Sequence, residues 1–160
     1  MAADLTNIRM VEIKPPLWQV PELYKRCMSK IIAADSDKSI AGYAHVGSSR
    51  FMPDYNDIDI LILLWSDVDY SAWVPPGFDP ADVKSDLNYI ADRSPNRPYW
   101  GAVRSGVFNF IVTADREFYE GFKTADEVVF ALKLADKGDR RKVHRVVRDG
   151  MTADEIAKLN

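Results

Sequence analysis

Val46-Gly47-Ser48-Ser49-Arg50-Phe51-Met52-Pro53-Asp54-Tyr55-Asn56-Asp57-Ile58-Asp59-Ile60 is the stretch that decides the fold. Ile40 to Val46 reads as a short strand that ends at Gly47-Ser48, and Asp57 to Leu64 reads as a second, largely buried strand. Alternate strand residues share a face, so Asp57 and Asp59 project together while Ile58 and Ile60 point the other way. Two carboxylates on one face of a buried strand repel each other and lose hydration. A divalent cation between them relieves both costs, and oxygen ligands suit Mg²⁺ or Mn²⁺. Gly47 permits close backbone approach, and Ser48, opening a helical turn, can offer its amide and hydroxyl to a phosphate oxygen. A phosphate cradle and a metal pair joined by a short loop are the parts that phosphoryl or nucleotidyl transfer needs.

Working outward, Pro21 to Ala34 reads as a helix, with Leu23, Cys27 and Ile31 on one stripe. Residues 1–20 read as an extended arm broken by Pro15-Pro16. Downstream of Leu64, Trp65 to Phe78 reads as a linker. Asp79-Pro80 is expected to open a helix buried through Val83, Leu87 and Ile90. Ser94 to Pro98 reads as a loop. Tyr99 to Arg104 and Val107 to Thr113 read as two strands around a Ser105-Gly106 turn. Thr124-Ala125-Asp126-Glu127 has the pattern of a capping box, opening a helix that stops at Gly138. A basic helix follows over Asp139 to Asp149, amphipathic through Val143, Val146 and Val147. A second capping box, Thr152 to Glu155, opens a last short helix. The expected class is α+β: a small mixed sheet with helices mainly on one face and further helices at the C-terminal end. Residues 21–160 form a single domain in this reading, with a basic helical part over 133–160.

Composition narrows the function classes. The chain has 160 residues, one cysteine and two histidines, which excludes a disulfide framework and a Cys-based zinc cluster. The apolar run Ile58 to Trp65 is too short for a bilayer, which needs ~20 residues, and the first residues lack a signal peptide's apolar stretch. A cytoplasmic protein without a membrane partner is expected. Charge is uneven: Pro53 to Asp92 holds nine aspartates against one lysine, whereas Lys133 to Arg148 holds seven basic residues against two aspartates. Such polarity suits cations at one place and a polyanion at another, with Arg140, Arg141, Lys142 and Arg145 as the candidate polyanion contacts.

Gly-Ser after a strand, followed by Asp-Ile-Asp on the next, resembles the signature of the nucleotidyltransferase fold shared by DNA polymerase beta, in its minimal single-domain form. The resemblance covers residues 46 to 60. It implies that Ser48, with Gly47, Ser49 and Arg50 around it, binds the phosphates of an NTP, and that Asp57 and Asp59 bind Mg²⁺ or Mn²⁺. Asn109-Phe110-Ile111-Val112-Thr113, with Asp115 and the basic C-terminal helix, looks similar to short nucleotidyltransferase-like proteins of tailed phages, which implies a host cytoplasm as the compartment. The family usually takes a third acid from a later strand; here Asn109 stands at that position, able to ligate but not to act as a base. Asp115 is expected to lie beyond the strand.

Two functions follow from the resemblance. One is metal-dependent transfer of an NMP from an NTP to a hydroxyl of an unidentified acceptor (protein, RNA or small molecule), with Asp57, Asp59 and Asn109 in the catalytic set. The other is a fold that has lost its chemistry and binds a nucleotide, RNA or a host protein, as an inhibitor encoded by a phage would. Their discriminator is what surrounds Asn109. Three further residues carry milder expectations: His45 as a satisfied sheet histidine, and Tyr99 and Trp100 as core rather than base-stacking aromatics.

Overall fold

A computed structural model describes residues 14–68, 72–86 and 100–159. The expected Ser94–Pro98 loop, Leu87, Ile90, Tyr99 and most of the N-terminal arm lie outside them. A 3-10 turn, Leu17–Gln19, leads into α1, Val20–Ala34. β1 is Ile40–Val46 and β2 is Ile58–Leu64, with a 3-10 turn, Ser48–Arg50, between them. β3 is Lys84–Asp86, β4 Trp100–Ser105 and β5 Phe108–Thr113. α2, Arg116–Leu132, is followed by α3, Lys137–Val143, which runs into a π turn, His144–Arg148, and then by α4, Ala153–Leu159.

The class is α+β. The five strands form one mixed sheet in the order β1-β2-β5-β4-β3. β2 and β5 pair in parallel at its centre, and the other neighbours are antiparallel. Side-chain alternation along β2 splits the core in two. Ile58, Ile60, Ile62 and Leu64 pack with Val20, Cys27, Met28 and Ile31 of α1. Leu61 and Leu63 pack with Phe118, Tyr119 and Phe122 of α2. The helices are thus shared between the two faces more evenly than the sequence suggests. Both faces of β2 are covered, which is why its sequence is a continuous apolar run interrupted only by Asp59.

Three expected elements differ. Asp79 does cap a turn, accepting from the Ala81 amide at 3.0 Å, but the turn ends at Asp82. Val83 is already extended and Lys84–Asp86 pairs with β4, so strand pairing overrides helical propensity there. The helix expected at Thr124 begins eight residues earlier, where Asp115 accepts from the Phe118 amide at 3.1 Å. Thr124 lies inside that helix, its hydroxyl turned back onto the Glu120 carbonyl. This helix stops at Leu132, with Lys133 left-handed at φ 51°, rather than at Gly138. Asp136 caps the next helix through the Asp139 amide, so Gly138 sits inside its first turn. The capping box at Thr152 and Glu155 forms as expected.

The basic helix also changes register. Its π turn rotates the C-terminal end, leaving Val146 and Val147 exposed and turning Arg148 inward over Trp100, Phe118 and Phe122. The apolar stripe expected through Val143, Val146 and Val147 therefore does not form a buried face.

Candidate functional site

Strand register builds the site. One rung crosses all five strands through Val46, Asp59, Asn109, Arg104 and Lys84. Asp59 and Asn109 have the parity of Leu61 and Ile111, so both face the α2 side of the sheet. Phe110, of opposite parity, is fully buried against the α1 side. The Asn109 amide donates to Asp59 Oδ1 at 2.9 Å. Its own Oδ1 is buried and meets no hydrogen-bond partner.

Asp59 Oδ2 lies against the Cα of Gly47. A Cβ added at Gly47 would overlap that oxygen and lie 3.1 Å from the Asp59 Cβ and Cγ, and Gly47 holds φ +83°. The glycine is required on both counts. Asp57, just before β2, sits with its carboxylate 3.6 Å from Arg104 Nη1. Burial pushes the Asp59 carboxyl up to about 7. The Asn109 hydrogen bond opposes this, Asp57 adds to it, Arg104 opposes it and Asp126 adds to it.

The turn after Gly47 is tied to α2. Asp126, 3% exposed, accepts from the Gly47 amide at 2.8 Å through Oδ1 and from Arg50 Nη1 at 2.6 Å through Oδ2. Arg50 also meets Glu127 at 2.9 Å and lies over the Phe130 ring. So Arg50, expected beside phosphate, is engaged by three residues of α2. Ser49 is buried, its hydroxyl 2.7 Å from His45 Nε2. His45 stacks on Tyr24, and burial lowers its pKa to about 4, with Arg50 adding to the effect. Ser48 is half-buried at the start of the turn, its carbonyl accepting from the Phe51 and Met52 amides.

The structure thus brings together Gly47, Asp57, Asp59 and Asn109, and turns Ser49 and Arg50 toward other partners. Asp115 is spent on its helix cap. Trp100 stacks on Phe118 with ring centres 5.0 Å apart. Among the polyanion candidates, Arg140 donates to the Leu134 and Ala135 carbonyls, whereas Arg141 and Lys142 are exposed.

Two site residues escaped the sequence reading. Arg104 had a signal: a turn at Ser105-Gly106 puts residue 104 opposite 109. Asp126 had another, a carboxylate among Phe118, Phe122, Ala125 and Val129 on the buried side of a helix.

Among the described residues, no three His, Cys, Asp or Glu side chains gather as a metal site. The donor chemistry still suits a hard cation: two carboxylates and one unpaired amide oxygen, all oxygen. Among the described residues no helix is long and apolar enough to cross a membrane. No protein-family model, curated protein or solved structure matches the chain.

Proposed function

We propose that this chain is a metal-dependent nucleotidyltransferase that moves an NMP from an NTP to an acceptor hydroxyl. The observation that carries this reading is the contact of Asp59 with Gly47: the acid of β2 abuts the glycine that opens the serine turn. In this reading the Gly47-Ser48 turn holds the terminal phosphates. Asp57 and Asp59, with Asn109 Oδ1, hold Mg²⁺ or Mn²⁺, which when bound neutralises phosphate charge and stabilises the leaving pyrophosphate. Arg104, beside Asp57, sets the charge balance of the acids and draws Asp59 toward ionisation. The exposed Arg141 and Lys142 suit an acceptor that is itself a polyanion, such as an RNA end.

A second reading is favoured by the amide of Asn109, which gives Asp59 a hydrogen-bond donor where a third acid would supply a base. In it the fold binds a nucleotide or another partner without transfer. One experiment separates the two. Each α-labelled NTP is incubated with the protein, Mg²⁺ or Mn²⁺ and a cell extract, and label on any macromolecule is measured beside wild-type affinity for the same NTP. Label lost in Asp59→Ala supports the transferase. Divalent-dependent binding without label supports the binding-only reading, and absence of both overturns the nucleotide reading altogether.

A further inference from the structure

The turn that follows β1 is closed at both ends by one carboxylate from a distant helix. Asp126 Oδ1 accepts from the Gly47 amide and Oδ2 accepts from the Arg50 guanidinium, with Ser48 and Ser49 between them. The two anchors are separated from Asp126 by 79 and 76 residues of chain, so nothing local enforces them. Asp126 is held in turn by its helix, of which Phe118, Tyr119 and Phe122 pack with the sheet and Ala125 and Val129 are buried. A buried carboxylate is costly unless charged donors satisfy it, and a buried pair broken on one side is strongly destabilising. The chain accepts that cost at the one turn whose glycine also touches Asp59.

We infer that Asp126 is the positioning residue of the phosphate turn: it fixes the Gly47 amide and the Arg50 end, and so sets the direction in which Ser48 presents its hydroxyl and amide. The inference rests on the reading of Gly47-Ser48 as the phosphate-binding turn. It assigns Arg50 a new part, as the strut between turn and helix, with Glu127 and Phe130 supporting it. It also accounts for the different setting of Ser49. Ser49 is buried with its hydroxyl on His45, whereas Ser48 is half-buried at the start of the turn.

Two variants test this. Asp126→Asn keeps an oxygen acceptor for the Gly47 amide but loses the ion pair with Arg50. Asp126→Ser loses both. Amide hydrogen exchange at Gly47 reports the tether, with Ile111 in the sheet core as the control for global opening. Affinity for Mn²⁺-ATP reports phosphate binding, read well below the melting temperature. Gly47 protection is expected to persist in Asp126→Asn and to fall roughly 10- to 100-fold in Asp126→Ser, the range for a lost hydrogen bond to a charged group. Affinity is expected to fall in the same order. If Asp126→Ser fails to fold, Arg50→Gln takes its place, releasing the other end of the turn with an expected loss of Mn²⁺-ATP affinity. Equal Gly47 exchange in wild type and Asp126→Ser, unchanged affinity in Arg50→Gln, or tighter nucleotide binding in any of the variants overturns the inference, the last by showing that Asp126 competes with phosphate. Lost Gly47 protection without nucleotide binding by wild type overturns the phosphate reading and leaves Asp126 as the anchor of the turn.

Discussion

Asp59 Oδ2 rests on the Cα of Gly47, so the acid of one strand and the turn after its neighbour occupy a single steric unit. Gly47→Ala is expected to be destabilising for two reasons: its φ of +83° strains a residue with a Cβ, and the Cβ meets the Asp59 carboxylate. Together these amount to about 2–4 kcal/mol. Urea denaturation measures the loss. A double-mutant cycle with Asp59→Ala separates the terms, because removing the carboxylate abolishes the clash and leaves the backbone strain. Full additivity in that cycle would contradict the contact.

Asn109→Asp replaces a donor to Asp59 with a third carboxylate of nearly the same size. Without metal the variant is expected to lose roughly 2–4 kcal/mol, from the lost hydrogen bond and the new repulsion. Saturating Mn²⁺ should restore much of that loss, since a cation would satisfy the added charge. Melting curves in EDTA and in Mn²⁺ decide it: a variant equally unstable in both would show that no cation binds between these strands.

The Asp59 carboxyl is raised to about 7, so between about pH 4 and 7 the folded state holds a proton that the unfolded chain has released. Wild-type stability should therefore fall, relative to Asp59→Asn, as pH rises from about 4 to about 7, and the difference should be constant above that. At pH 8 Asp59→Asn is expected to be more stable by about 1–3 kcal/mol. Denaturation midpoints of the two proteins across pH 4 to 8 give the curve. A difference that does not change with pH would mean that Asp59 is ionised throughout.

His45 acts with the opposite sign. Burial lowers its pKa to about 4, so it favours the fold while neutral, and that contribution is lost as pH falls from about 6.5 toward 4. His45→Gln should lose some stability at pH 8, through the Ser49 hydrogen bond and Tyr24 stacking, yet flatten the acid limb of the pH profile. Parallel acid limbs in wild type and variant would show that His45 titrates alike in both states.

Most of the sheet was legible because its signals are local. Ile40–Val46 and Ile58–Leu64 are short β-branched or apolar runs, and Ser105-Gly106 marks its own hairpin. Strand parity then put Asn109 on the face of Asp59, where the hydrogen bond lies. What escaped depends on distant partners. Lys84–Asp86 has no strand propensity of its own and becomes a strand only because β4 offers it an edge. Asp126 looked like part of a helix start, because Thr124 and Glu127 imitate a capping box. Asp115 supplied the true cap nine residues earlier, and that moved Asp126 onto a buried helical face. The π turn left no mark at all in the spacing of Val143, Val146 and Val147.

The parallel pairing of β2 with β5 has a consequence for the order in which the chain acquires its acid. Asn109 follows Asp59 by 50 residues, and Asp126 follows Gly47 by 79. A chain growing from the N-terminus can form the β1–β2 hairpin with its outer edge still open to water, and Asp59 is then solvated and ionised. The carboxylate loses part of its hydration only when β5 slots alongside and α2 closes over the face. Protonation of Asp59 is thus tied to the docking of β5 and α2, and refolding at a pH between about 4 and 7 should show a proton uptake that coincides with the docking of α2 rather than with collapse of the hairpin.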